Sequence, residues 1–269
     1  SEFTTRERWI NPSGMNDDEI PPGDVFRRNG GAGWCFSQET TAPPRNAGSI
    51  FVGCNYLETT DFDAYLYVPG QRRVRKAPEL GFYDSPSTNS DGLRTADSKH
   101  MGAMTGDEEW YVWKAERKEM YVPYNNYRIA QPGVTFKDIV RPGHVNSDLL
   151  RYELHRVWAI EGTLKPAYRH LSPHRYVYVD EDSWTGLASD MYDARGDLWR
   201  VMEGYVLNYY DMPLVHHYGD DHADVISGRH AANGGFSAVG GDPKNLPNFH
   251  VMPDPEIQTP AGLRKYGMR

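Results

Sequence analysis

The densest group of side chains able to do chemistry is the run His216-His217-Tyr-Gly-Asp220-Asp221-His222-Ala-Asp224. Imidazole and carboxylate together can hold a divalent cation. The spacing fits no known ligand pattern, such as the i, i+4 histidines of HExxH. The expectation is therefore no metal, with His216, His217, Asp220 and His222 as the residues that would ligate one. A solvated polar loop is the expected setting for this run. The acids Asp180, Glu181, Asp182 and Asp193 could work as an acid/base pair. In hairpin turns such acids more often cap backbone N–H groups. The segment Asn89-Ser-Asp-Gly92 carries part of a calcium loop but lacks the full D-x-[DN]-x-[DN]-G pattern. The glycine pairs Gly234-Gly235 and Gly240-Gly241 do not follow a strand and open a helix, which argues against nucleotide binding. There is no GxSxG nucleophile elbow. The expectation is a non-enzymatic protein without a cofactor.

The elements around these residues read as strands. The clearest are Ala64-Tyr-Leu-Tyr-Val-Pro-Gly-Gln-Arg-Arg-Val-Arg-Lys76 and Arg175-Tyr-Val-Tyr-Val-Asp-Glu-Asp-Ser-Trp184. Each sets aromatic and β-branched residues beside a turn of Gly, Pro, Asp or Ser, the signal of antiparallel hairpins. Strands are expected over 49–58, 62–68, 72–77, 152–164, 169–180, 183–193 and 197–210. Residues 110–123 read as a short helix then a strand, or as two short strands. The expected division is an irregular Gly/Pro-rich segment 1–48 with a short strand at 34–38, a curved antiparallel β domain 49–211, and an extended tail 212–269.

Composition narrows the function. With 269 residues the chain can bury a real core. A net charge of -8 argues against nucleic acid. The one basic run, Arg72, Arg73, Arg75 and Lys76, reads as a solvated strand edge that blocks edge pairing; the other reading is a contact for an anionic partner such as a lipid headgroup. No apolar stretch approaches the ~20 residues of a membrane span, so no transmembrane segment is expected. The two cysteines, Cys35 and Cys54, allow one disulfide, which fits an oxidising compartment; two buried thiols are the other reading.

Several long words in this chain resemble one bacterial family. They are Tyr67-Val-Pro-Gly-Gln-Arg-Arg-Val-Arg75, Asp91-Gly-Leu-Arg-Thr95, Lys118-Glu-Met-Tyr-Val-Pro-Tyr-Asn-Asn-Tyr-Arg128 and Pro142-Gly-His144. Arg151-Tyr-Glu-Leu-His-Arg-Val-Trp158, Tyr178-Val-Asp-Glu-Asp-Ser-Trp184 and Asp193-Ala-Arg-Gly-Asp-Leu-Trp-Arg200 continue the match over residues 49–211. The family is domain-of-unknown-function family 1329, related to the LolA/LolB carriers of outer-membrane lipoproteins. The resemblance implies a mainly β fold: a curved antiparallel sheet, an incomplete barrel, with short helices as plug or lid; the long irregular termini are read from the residues and depart from the family pattern. It also implies a place in the periplasm or at the outer membrane of a Gram-negative bacterium, or outside the cell, and a role in binding or transporting a lipid, a lipoprotein acyl chain or another hydrophobic compound. Residues 1–48 depart from the family pattern by lacking a recognisable N-terminal part of the sheet: the chain is either a fragment of a longer product or a shortened member, and a sheet that lacks strands would expose an edge that another chain could complete.

A concave sheet turns alternate residues toward its ligand. Tyr65, Tyr67, Trp158, Ile160, Tyr176 and Tyr178 are the candidate contacts; the bland reading is that they are core. The function expected is hydrophobic-ligand binding in the cell envelope. The alternative is a structural subunit of an envelope or extracellular assembly, self-assembled or with an envelope protein partner, whose termini clasp neighbours.

Overall fold

The computed structural model describes residues 4–10, 31–56, 62–76, 92–95, 108–234 and 255–268. The protein is mainly β, built on open antiparallel sheets with few helical turns. Its contacts divide it into two compact units, Ser1–Phe82 with Asn248–Arg269, and Tyr83–Pro247.

The first unit is a five-stranded meander in sequence order: β1 (Thr4–Ile10), β2 (Ala32–Ala42), β3 (Ile50–Tyr56), β4 (Phe62–Val68) and β5 (Arg73–Lys76). The expected irregular segment 1–48 thus contains two strands, β2 extending well beyond the short strand foreseen at 34–38. The missing N-terminal part of the sheet is present. The reason lies in the composition of β2. Its buried positions include Ser37, with 0% exposure, and Cys35, so the inward face lacks the bulky apolar alternation that announces a strand. Backbone pairing holds it instead, with Cys35 directly opposite Cys54 on β3. These two cysteines form a disulfide with Cα atoms 4.1 Å apart, near the separation of a non-hydrogen-bonded antiparallel pair. The bridge closes a loop of 19 residues. Replacing both cysteines with alanine should therefore lower stability by about 3 kcal/mol, read as a shift of the denaturation midpoint that reductant reproduces in the wild type.

A C-terminal helix, Pro260–Gly267, lies on this sheet. Thr259 caps it, its hydroxyl oxygen accepting from the Gly262 N–H. Leu263, fully buried, packs with Ile50, Val52 and Tyr67. The expected tail 212–269 is corrected here as well: its end docks on the chain's own sheet, and its start continues the second unit as two further strands. Residues 235–254 of that tail, 11–30 of the N-terminal segment and Asn89-Ser-Asp91 lie outside the described residues.

The second unit is a seven-stranded sheet in the order β14-β13-β12-β11-β10-β9-β6. Its strands are β6 (Tyr111–Pro123), β9 (Tyr152–Leu164), β10 (His174–Asp180), β11 (Gly186–Tyr192), β12 (Leu198–Tyr209), β13 (Leu214–Asp224) and β14 (Arg229–Gly234). Residues 111–123 form one long strand, because the charged run Lys114–Glu119 is the exposed part of β6 rather than a helical face. Although β9 and β10 stand between them in the sheet, β6 also touches β11, and it reaches β12 beyond. The sheet curls until Val122 of β6, Leu187 of β11 and Val206 of β12 join one buried cluster with Val157, Ala159 and Tyr178.

The connection from β6 to β9 carries the small hairpin of β7 (Val140–Arg141) and β8 (His144–Val145). It crosses to β12 through Asn126, 0% exposed, whose N–H donates to the Val206 carbonyl at 2.8 Å and whose Oδ1 accepts from the Arg151 N–H at 2.7 Å. Ile129, Ile139, Val145 and Leu150 of this connection pack against Tyr205, Leu207 and Tyr218. It acts as a plug on the sheet, in keeping with the short helical cover expected from the family resemblance.

Candidate ligand-binding face

Strand register decides which of the candidate residues share a surface. Tyr176 pairs with Glu161 and Tyr178 with Ala159, whereas Ile160 pairs with Val177 and Trp158 with Val179. Side chains alternate along a strand and directly opposed residues share a face. Tyr176 and Tyr178 therefore stand on one face of the seven-stranded sheet, and Trp158 and Ile160 on the other. Tyr65 and Tyr67 belong to the first unit. The sequence could not make this division, because a one-residue step in a period of two changes the face.

The face of Tyr176 and Tyr178 is the one toward which the sheet curls, since Val157, Ala159 and Tyr178 lie in the cluster that Val122 and Val206 join. From Tyr178, 9% exposed, the face continues to the half-buried Tyr176, His174 and Tyr192. Tyr176 stacks near Tyr178, with ring centroids 6.1 Å apart at 8°. His174 lies 5.1 Å from both Tyr176 and Tyr192. These aromatics have polar partners at their rims. The Tyr178 hydroxyl donates to Asp190 at 2.8 Å, and His174 Nε2 meets Glu161 at 2.9 Å. Burial first, then the Asp190 hydrogen bond and charge, push the Tyr178 hydroxyl above its ordinary range. The His174 hydrogen bond holds Glu161 below its own. The result is an aromatic strip in which the Tyr178 hydroxyl and the His174 imidazole have polar partners and the ring faces remain for an apolar one. His174, Glu161, Asp190 and Tyr192 were missed from sequence; the signal was the i, i+2, i+4 series His174, Tyr176, Tyr178.

The other candidates have different settings. Tyr67, 1% exposed, packs beneath Leu263 of the C-terminal helix, and Tyr65 borders the same cluster. Trp158 is half-buried, with the Arg117 guanidinium 4.9 Å from its ring centroid.

The polar run at 216–224 is a buried strand rather than the solvated loop expected. Asp220, His222 and Asp224 point to one face at period two and are 2%, 3% and 6% exposed. A strand that buries charged residues at alternate positions carries no apolar alternation, so its pattern was invisible. His222 Nε2 lies 3.1 Å from Asp220, His217 Nε2 3.7 Å and Arg94 Nη2 3.8 Å, and Asn233 Nδ2 donates to the same carboxylate at 3.2 Å. His216 instead packs its ring 6.4 Å from that of Tyr209. Among the described residues, no group of three or more His, Cys, Asp or Glu is arranged to hold a metal ion. Burial would raise the Asp220 carboxyl, but Arg94 and the two histidines more than offset it and hold it below the usual carboxylate range. Burial pushes His217 down to about 4 against the pull of Asp220.

Of the turn acids, Asp180 after β10 and Asp193 after β11 cap backbone N–H groups as expected, whereas Glu181 pairs with Arg117 and Arg156, and Asp182 with Arg156. Asp180, 0% exposed, accepts from the Ser183 N–H and hydroxyl at 2.7 and 2.6 Å and faces His155 Nδ1 at 2.7 Å. Asp193 accepts from the N–H groups of Arg195 and Asp197 at 2.8 and 3.0 Å. The Ser183 hydroxyl donates to a carboxylate, so Asp180 separates it from the imidazole.

One further carboxylate has a measurable consequence. Glu203 accepts from the Tyr152 hydroxyl at 2.8 Å and the Tyr205 hydroxyl at 3.1 Å, and burial raises its pKa in spite of both bonds. A raised folded-state pKa means that protonation favours the fold, and that stability is lost as pH climbs through the folded value. Glu203→Gln should accordingly stabilise the protein at pH 7 and lose that advantage below the unfolded-state pKa, near pH 4.5. Melting curves across this range are the check.

Two open antiparallel sheets, one curled over an aromatic face and crossed by a plug, define the fold seen in a putative outer membrane lipoprotein-sorting protein domain from Vibrio parahaemolyticus. The two share 13% identity, with a TM-score of 0.55 over 87% of this chain and 79% of that one. A family model described as "Protein of unknown function (DUF1329)" matches residues 4–250, and the chain belongs to that family. It is 42% identical over 237 residues to the uncharacterized protein PA3922 of Pseudomonas aeruginosa. The match takes in 87% of this chain and 50% of that protein, so the chain spans about half the length of this curated relative. A DUF1329 family protein from Desulfovibrio piger aligns at a TM-score of 0.44 and 14% identity, over 77% of this chain and 70% of that one. No helix among the described residues is long and apolar enough to cross a membrane.

Proposed function

We propose that this protein binds a hydrophobic molecule in the cell envelope of a Gram-negative bacterium, in the periplasm or at the outer membrane, and carries or receives it without chemical change. The observation that carries the reading is the aromatic strip Tyr176, Tyr178, Tyr192 and His174 on the inner face of a curled sheet. An apolar surface laid on it gains roughly 25 cal/mol per Å² from burial alone, so an acyl chain or a fused-ring hydrocarbon needs no reactive group to be held. The sorting domain that shares the fold supports the same class of cargo.

The alternative, a structural subunit whose termini clasp neighbours, has less support. The C-terminal helix covers its own chain's sheet through Leu263 and Tyr67.

Native mass spectrometry of protein purified without detergent, followed by organic extraction, tests the proposal. A near-stoichiometric apolar molecule is the expected result. Tyr176→Ala combined with Tyr192→Ala should reduce loading by about thirtyfold, at roughly 1 kcal/mol per ring removed. Trp158→Ala, on the opposite face, should leave loading unchanged. A ligand-free protein that also takes up no added fatty acid would end this reading.

A further inference from the structure

We propose that the β4–β5 hairpin of the first unit is a docking surface for an anionic lipid bilayer, a role separate from the binding of cargo on the other unit. Arg72, Arg73 and Arg75 are exposed on this hairpin in a chain of net charge -8. Lys76 pairs with Asp63 at 2.9 Å, but among the described residues Arg72, Arg73 and Arg75 form no ion pair.

Blocking of a sheet edge explains some charge on β5, but it asks for no particular cation and no particular arrangement. The arrangement here is specific in three respects. First, all three are arginines, whose weakly hydrated planar guanidinium bonds phosphate in a bidentate manner. Second, Arg72 occupies a left-handed turn conformation, φ 49, its N–H donating to the Pro69 carbonyl at 3.1 Å. Glycine or asparagine takes this conformation at lower cost, and a residue held there against its preference points to function. Third, Arg75 Nη2 donates to Gln71 Oε1 at 2.6 Å, which fixes one guanidinium over the turn.

Apolar side chains accompany the cations. Leu66 is directly opposite Arg75, Val68 is opposite Arg73, and Phe51 is opposite Leu66. All five therefore share the sheet face away from the C-terminal helix, since Tyr67 and Val74, which pack with Leu263, alternate with them. Phe51, Leu66 and Val68 are each partly exposed. Cations flanking partly exposed apolar side chains match a bilayer interface, where the rings and aliphatic groups enter among the headgroups and the guanidinium groups meet phosphate. A hydrophilic polyanion would use the cations and leave the partly exposed Leu66 and Val68 uncovered.

Co-sedimentation of the full chain with vesicles is the test. Phosphatidylcholine vesicles with about one third phosphatidylglycerol should bind the wild type at low salt. Binding should disappear on pure phosphatidylcholine and in about 0.5 M salt. Each arginine near such a surface is worth about fivefold in binding, so the R72E/R73E/R75E variant should bind at least a hundredfold more weakly. Arg72→Gly relieves the turn strain without loss of the fold and should still bind about fivefold more weakly. Equal binding of the charge-reversed variant and the wild type would overturn the proposal. So would equal binding to neutral vesicles, or displacement by millimolar inorganic phosphate, which would mark a free-anion site. Cargo loading should not change in either variant, so this result stands or falls apart from the carrier reading.

Discussion

Tyr67→Ala should lower the stability of the protein by about 3–5 kcal/mol, the usual cost of removing a fully buried aromatic ring. Tyr67 is 1% exposed and shares a cluster with Ile50, Val52 and Leu263, so the substitution opens a cavity between the sheet and the C-terminal helix. The same loss should appear in delipidated protein, because the ring contacts the chain's own helix. A ligand contact would behave in the opposite way, with stability unchanged and loading reduced. Two substitutions on the helix side test the packing independently. A Cβ at Gly267 would lie 2.4 Å from the Tyr67 ring, and one at Gly262 would lie 1.9 Å from the Glu256 carbonyl oxygen. Gly267→Ala and Gly262→Ala should each lift the helix and expose its backbone to hydrogen exchange. If Tyr67→Ala melts with the wild type while the helix stays protected, the docked arrangement is wrong.

Asp220→Asn is expected to be comparably severe, at about 3–5 kcal/mol, because it removes the carboxylate from a buried charge cluster and keeps the cation. The carboxylate is 2% exposed and faces Arg94, whose side chain is 16% exposed, together with His217 and His222. Replacing Arg94 by methionine in the Asp220→Asn background should restore part of the loss, since volume is kept and the buried charge is gone. The cluster also sets an acid limit. His217 is pushed down to about 4 from an ordinary 6.5, so the unfolded chain takes up a proton first as pH falls. Stability should therefore decline between pH 6.5 and pH 4. Asp220, held below its ordinary 3.8, contributes stability above that value and loses it at still lower pH. His217→Asn should flatten the upper part of this decline in urea titrations at stepped pH. An unchanged slope would mean that His217 is not the group responsible.

The strands most legible from sequence were those with apolar or aromatic alternation. Residues 152–164 and 62–68 match β9 and β4 at both ends, because Leu154, Val157, Trp158 and Ile160, or Tyr65 and Tyr67, advertise a pleated, half-buried surface. The family resemblance carried the fold class and a plug on the sheet. Two strands show why others escaped: β13 was expected as a loop, and β2 only as a short strand at 34–38. β2 buries Ser37 and a disulfide half instead of large apolar residues, and β13 buries Asp220, His222 and Asp224. Cys54 across from Cys35, and Arg94 and Trp199 beside the β13 carboxylates, come from parts of the chain that no local window contains.

The sequence by itself determined that this chain is an antiparallel β protein of its family, rich in aromatic strand residues and acidic overall, with one pair of cysteines and one basic hairpin. Period-two patterning, turn residues and composition act locally, so they can be read locally. The tertiary structure alone decided which aromatics face together. Register separated Tyr176 and Tyr178 from Trp158 and Ile160, and the C-terminal helix turned Tyr67 into core. It alone also converted a polar run into a buried strand, since a charge is tolerated in the interior only where Arg94, from more than a hundred residues upstream, arrives to meet it.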